Sequence, residues 1–211
     1  MALIIDTFIL GPIDNNTYLL SVNTSKDAVL IDPAAPSKKI IQYLEKNNLN
    51  LKEIWLTHAH FDHIGGVRWF LEQYAEKDVQ AAIHKKAVNL WEMGGSARDF
   101  GFDFDPGPLP KKILSDNDIL KIGSSEFKVL HTPGHTPGHV TFYDGQDNVA
   151  FCGDLIFYHG IGRADLSISN THSLMESISQ KIFPLPDETR LYPGHGQFTT
   201  VGEEKKNNPF L

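Results

Sequence analysis

Four side chains that bind metals well, His58, His60, Asp62 and His63, fall within six positions of the stretch Thr57-His58-Ala59-His60-Phe61-Asp62-His63-Ile64-Gly65-Gly66. No regular element points all four one way. On a strand His58, His60 and Asp62 share a face and His63 opposes them. On a helix, residues two apart diverge. The apolar run Ile54-Trp55-Leu56 before the motif and the glycine pair after it predict a strand ending at Thr57, a tight loop folded around a cation, and then a helix. Two adjacent cations suit the set better than one, because His58/His60 and Asp62/His63 form two divergent pairs. Histidines also cluster by chance. Here an apolar strand delivers three of them with an acid into a glycine-flanked turn, and that argues for metal.

The rest of the chain offers further donors at similar places. In His131-Thr132-Pro133-Gly134-His135-Thr136-Pro137-Gly138-His139, two Pro-Gly turns fix the backbone and hold His135 between them. His131 and His139 read as structural or supporting. Val149-Ala150-Phe151-Cys152-Gly153-Asp154 is a buried strand ending in an acid, with Cys152 a small apolar residue within it. Arg190-Leu191-Tyr192-Pro193-Gly194-His195-Gly196 ends in a histidine bracketed by glycines. Asp32 closes the short strand Ala28-Val29-Leu30-Ile31 and either orients a metal-binding histidine or caps a turn.

The elements that must position these groups can be read from hydrophobic periodicity. Residues 3–10 and 17–22 form strands around a Gly11-Pro12 turn. Ser37 caps a helix whose stripe is Ile40, Ile41 and Leu44, and Val67, Phe70, Leu71 and Tyr74 mark another. Val79 to Ile83 is a strand, and His84 opens a short helix as an exposed residue. Residues 93–112, rich in Gly, Pro and Asp with Phe100, Phe102 and Phe104, form a long loop that is either a functional lid or a flap over the core. Two strands occupy 119–130, residues 172–182 are helical, and Thr199 to Asn208 forms a short terminal helix. Strands between 119 and 153 follow one another without helices, so two sheets packed face to face with helices outside fit better than a doubly wound parallel sheet.

Bulk properties exclude several classes. At 211 residues and 41% hydrophobic, the chain can bury a substantial core. A net charge of -7 argues against a broad nucleic-acid or anionic-membrane surface. Cys152 is the single cysteine, so no internal disulfide forms. The N-terminal run is broken at once by Asp6 and lacks a basic region, and no apolar run approaches membrane-spanning length, so a cytoplasmic protein is expected.

The succession His-x-His-x-Asp-His, Pro-Gly-His-Thr, a strand ending Gly-Asp, and Pro-Gly-His-Gly resembles the metallo-β-lactamase superfamily over nearly the whole chain. The resemblance implies an α/β (α+β) fold, a four-layer αβ/βα sandwich with the site at one edge. It implies one metal on His58, His60 and His135 and a second on Asp62, His63 and His195, with Asp154 between them. Two divalent ions are expected, zinc first, with iron or manganese accepting the same donors. Asp62 in place of a thiolate points to a hydrolase site other than that of true β-lactamases.

Within the superfamily, Gly153-Asp154-Leu155-Ile156-Phe157, Gly160-Ile161-Gly162-Arg163-Ala164-Asp165-Leu166 and Thr199-Thr200-Val201-Gly202-Glu203-Glu204-Lys205-Lys206-Asn207-Asn208-Pro209-Phe210 are similar to the glyoxalase II (hydroxyacylglutathione hydrolase) group, in its compact bacterial form. That implies hydrolysis of S-acylglutathione thioesters, S-lactoylglutathione above all, by a water activated between the metals, with Asp62 and Asp154 as catalytic carboxylates. It also implies a single metallo-hydrolase domain over 1–211, without the C-terminal helical extension that binds glutathione in longer members. Arg163 falls on a basic substrate contact, and Lys205 or Lys206 could replace the extension's cations, although a solvated helix face explains either lysine alone. The rival readings are a mononuclear-iron persulfide dioxygenase, a lactonase or phosphodiesterase of the superfamily, and a non-catalytic metal-binding module. The full second set, Asp62, His63 and His195, weighs against the dioxygenase.

Overall fold

The computed structural model describes residues 2–211. Strands β1 (Leu3–Leu10), β2 (Asn15–Val22), β3 (Asp27–Ile31), β4 (Asn50–Trp55), β5 (Gln80–His84) and β6 (Lys112–Leu114) build one sheet in that order. It is antiparallel through β1–β2–β3 and parallel from β3 to β6. The second sheet takes β7 (Ile119–Ile122), β8 (Ser125–His131), β9 (Val140–Asp144) and β10 (Val149–Gly153) as an antiparallel meander. A small hairpin, β11 (Ile156–Phe157) and β12 (Gly160–Ile161), then leaves the sheet. The chain returns with β13 (Arg190–Pro193) parallel to β10, and β14 (Thr199–Thr200) closes that edge.

Alternation along the strands sorts the core into layers. Leu20, Val29 and Trp55 of the first sheet face Phe127, Phe142 and Phe151 of the second. The Trp55 ring meets Phe127 at 5.2 Å and Phe142 at 5.5 Å between centroids. On the opposite face of the first sheet, Leu19, Leu30 and Ile54 pack under α1 (Lys38–Lys46), α2 (Phe61–Ile64), α3 (Val67–Gln73) and α4 (Val88–Glu92). Behind the second sheet, Ala150, Cys152 and Leu191 pack under α5 (Thr171–Ser177), the π-helical turn Ile178–Ile182 and α6 (Val201–Asn207). The order is therefore helix, sheet, sheet, helix, the expected four layers.

Several boundaries differ from the periodicity reading. The strand before the metal motif stops at Trp55, and α2 starts at Phe61, so Asp62 and His63 ride on a helical turn instead of a loop. The turn forms because the His63 amide donates to the His60 carbonyl at 2.9 Å. Ser37 stands at the start of α1 but makes no side-chain cap there. His84 is not exposed: β5 runs one residue further than expected, and the imidazole is buried, stacked on His131 at 4.2 Å. No helix among the described residues is long and apolar enough to cross a membrane.

Candidate metal centre

The C-terminal ends of the parallel strands meet at one edge of the sandwich, the usual location for ligand sites in sheets of this kind. Asp32 follows β3, the His58–His63 motif follows β4, Asp154 follows β10 and His195 follows β13. His135 joins them from the loop between β8 and β9. All seven residues singled out as ligands converge, although they span 137 positions of chain from His58 to His195. Three groups of three have donor atoms within 4.8 Å of one another: His58, His60 and His135; Asp62, His63 and His195; and Asp32, His58 and His63, in which Asp32 is engaged by the hydrogen bonds described below. Asp154 lies between the first two. Its carboxylate is 3.2 Å from His63 Nε2, 3.6 Å from His135 Nε2 and 3.8 Å from His195 Nε2.

Backbone and neighbouring side chains fix which nitrogen each imidazole presents. Thr57 Oγ1 donates to Asp32 Oδ2 at 2.5 Å, so it accepts from His58 Nδ1 at 3.0 Å and leaves His58 Nε2 as a lone pair. His63 Nδ1 donates to Asp32 Oδ2 at 2.9 Å, His135 Nδ1 to the Arg163 carbonyl at 2.9 Å, and His195 Nδ1 to the Ile13 carbonyl at 3.1 Å. Each of those rings therefore turns its Nε2 inward. His60 turns its Nδ1 inward, 3.1 Å from His58 Nε2 and 2.9 Å from His135 Nε2.

This arrangement fits metal. Three imidazole nitrogens at mutual contact cannot each find a proton to share, and burial makes an unpaired lone pair costly. His63 Nε2 and Asp154 Oδ1 face each other at 3.2 Å with no further hydrogen-bond partner, and His60 Nε2 is buried without a partner among the described residues. Electrostatics agree with two unlike halves. Burial, then the neighbouring His63 and His60, holds His58 well below the usual imidazole range, and burial with His135 pushes His60 down to about 3. Burial also opposes charge on His63, but Asp154 and Asp62 outweigh it and push that imidazole well up. Asp154 is held far below the usual carboxylate range, burial being overcome by His63. Asp62 is likewise lowered, burial being outweighed by His63 and His195. The first group is thus a neutral nitrogen cradle, and the second balances imidazole against carboxylate. Divalent cations satisfy both.

Glycine makes the last approach possible. A Cβ at Gly194 would run into Asp154 Oδ1 and His63 Cε1. Tyr18 and Asn16, which read from sequence as plain strand and turn residues, hold this segment in place. Tyr18 Oη donates to the Pro193 carbonyl at 2.7 Å, and Asn16 Nδ2 donates to the carbonyls of Pro193 at 3.1 Å and Gly196 at 2.7 Å. The paired asparagines before a strand are the one available signal, but a turn explains them equally well.

A cavity of about 370 Å³ opens over the centre, within the range of small-molecule sites. His60, Asp62, His135, Asp154 and His195 line it with Arg163. Lys205 and Lys206 do not line it. Lys205 Nζ pairs with Asp187 at 2.6 Å and lies over the Phe183 ring, while Lys206 is exposed. The face of α6 turned inward carries Val201 and Glu204 instead.

Residues 10–195 match the family described as the Metallo-beta-lactamase superfamily. The chain is 38% identical over 187 residues to the hydroxyacylglutathione hydrolase GloC of Haemophilus influenzae, covering 88% of each protein. Among solved structures it superposes on BLEG-1, a B3 metallo-beta-lactamase, with a TM-score of 0.91 and 37% identity over 99% of both chains. It superposes on TTHA1623, solved in a di-iron-bound form, with a TM-score of 0.86 and 38% identity over 98% of this chain and 100% of that one.

Proposed function

The chain belongs to the metallo-beta-lactamase superfamily, and on that premise we propose that it is a dinuclear metal-dependent hydrolase of thioesters of the S-acylglutathione type. The observation that carries the reading is Asp154, whose carboxylate reaches nitrogens of both ligand groups and makes them one centre. His58, His60 and His135 would hold one ion and Asp62, His63 and His195 the other, with Asp154 shared. Nitrogen-rich donors with carboxylates suit zinc, and iron or manganese accept the same set. When bound, such a pair supplies Lewis acidity that lowers the pKa of water toward neutrality and polarises a carbonyl.

The protein's own groups account for the rest. Asp62 and Asp154 accept hydrogen bonds from the attacking water and aim it at the acyl carbon. Addition of water and cleavage of the carbon–sulfur bond release a carboxylate and a thiol. A thiol leaves readily as thiolate, its pKa being about 8.5. Apart from the proposed ligands, the only titratable side chain lining the cavity among the described residues is Arg163, which does not give up a proton near neutral pH. A site with no dedicated proton donor suits a thioester better than an amide or phosphodiester. Arg163 would also meet the anionic end of a glutathione thioester. The similarity to a hydroxyacylglutathione hydrolase supports the same substrate class.

The test is release of glutathione thiol from S-lactoylglutathione by metal-replete protein. Turnover is expected, falling about a thousandfold or more in Asp154→Asn, because a metal pair supplies several kcal/mol of transition-state stabilisation. Tight metal binding without turnover of any thioester would remove this reading. One iron per chain with oxygen uptake on glutathione persulfide would replace it by the dioxygenase.

A further inference from the structure

Four separate loops each bring one large apolar side chain to the cavity above the metal centre. Ile13 comes from the turn between β1 and β2, Phe100 from the 93–112 loop, Phe157 from the β11–β12 hairpin and Leu166 from the segment that follows Arg163. Phe61, at the start of α2, lines the cavity beside the ligands His60 and Asp62. Phe100 stands on Phe61 at 5.2 Å between ring centroids, in an edge contact. The loop that carries it is tied to the metal motif, since the Phe61 amide donates to the Gly95 carbonyl at 3.0 Å. Even so, Phe100 stays 55% exposed and Ile13 51% exposed. Apolar surface gathered at a concave site and left uncovered marks a binding surface.

Among the described residues, one cation stands against this wall. Arg163 donates through Nε and Nη2 to Asp165 at 2.9 Å and 3.0 Å, so its charge is already shared. Glutathione carries two carboxylates and meets little else of opposite charge here. The acyl group is placed differently. Its first carbons adjoin the scissile carbonyl and cannot lie far from the ligands, where Phe61 and Phe157 are the neighbours. The Phe157 ring is 6.3 Å from that of His195. No hydroxyl or amide side chain among the described residues lines the cavity to receive the 2-hydroxyl of a lactoyl group. Such a hydroxyl would give up water without gaining a partner.

Resting on the thioester reading above, we propose that the cavity selects its substrates by the acyl group, favouring apolar acyl chains longer than lactoyl or an aromatic acyl group. Phe100, Phe157 and Ile13 are then specificity-determining residues, and the 93–112 loop is a wall of the site. A fully buried methylene contributes about fourfold to kcat/KM, and on a wall left half open the expected gain is about twofold.

The experiment compares S-lactoyl-, S-butyryl-, S-hexanoyl- and S-benzoylglutathione, which share one thiol, on metal-replete protein. The hexanoyl ester should exceed the butyryl ester about fourfold in kcat/KM, with lactoyl lowest. Phe100→Ala and Phe157→Ala should each cut the hexanoyl-to-lactoyl ratio about two- to threefold. A flat series, a preference for lactoyl, or a ratio unchanged in both variants overturns the inference while leaving thioester hydrolysis intact. Failure to turn over all four esters overturns thioester hydrolysis itself, and this inference with it.

Discussion

Asp32 Oδ2 accepts from His63 Nδ1 at 2.9 Å, and the same oxygen accepts from Thr57, whose hydroxyl in turn accepts from His58. One buried carboxylate thus sets the tautomer of a histidine in each ligand group. The Thr57 amide holds its other oxygen at 2.8 Å. Asp32 itself sits at a φ of 47°, a left-handed conformation that Asp and Asn tolerate better than most residues.

That relationship makes Asp32→Asn an informative variant, because it keeps the shape and the backbone preference while replacing one of the two accepting oxygens by a donating amide and removing the charge. Metal affinity should fall about 10–100-fold, in keeping with the effect of partners that orient metal-binding histidines. Competition against a chromophoric chelator measures it. Unchanged affinity for both ions would show that the rings hold their orientation without Asp32.

Gly194→Ala should damage the centre more than the fold. The added methyl has no room between Asp154 and His63, and overpacking of this kind costs about 1–3 kcal/mol. Metal titration should show one ion lost or weakened while the circular dichroism spectrum keeps its shape. Two tightly bound ions in the variant would mean that the segment shifts freely, contrary to its tethering by Tyr18 and Asn16.

His84 predicts a pH dependence of stability that is separate from metal binding. Burial first, then His131, Lys85 and Lys86, lowers it to about 4, against about 6.5 in an unfolded chain. As pH falls, the unfolded state therefore takes up the proton first. The contribution of neutral His84 is complete above pH 6.5 and is lost between there and pH 4, on the order of 2 kcal/mol. Denaturant midpoints of the metal-free protein should fall more steeply with acid for the native chain than for His84→Gln. Parallel curves would show that His84 takes its proton as easily folded as unfolded.

The contrast between His58 and His84 shows what can be read from sequence. The spacing His-x-His-x-Asp-His is too dense for chance and too irregular for one element face, so the motif by itself implies metal. Apolar strands that each end in a donor then suggest where the partners lie, and the sandwich follows from strands without intervening helices. His84 carries no such pattern. A lone histidine after an apolar strand is equally compatible with an exposed helix start, and only the extra residue of β5 and the stack on His131 bury it. Lys205 and Lys206 are ambiguous for a related reason: a cation replacing those of an extension and a solvated helix face read alike, and the pairing of Lys205 with Asp187, 18 positions away in sequence, is visible only in the structure. The apolar wall is similarly hidden. Phe100 is visible in a long loop, but its place beside Phe61 depends on a backbone bond to the Gly95 carbonyl.

The most direct test of a shared dinuclear centre is a titration of metal-free protein with zinc, following hydrolysis of an S-acylglutathione and bound metal in the same sample. Activity should rise with metal and level off at about two ions per chain, and Asp62→Ala should bind one ion and stay inactive. Full activity at one ion per chain, retained in Asp62→Ala, would contradict the account.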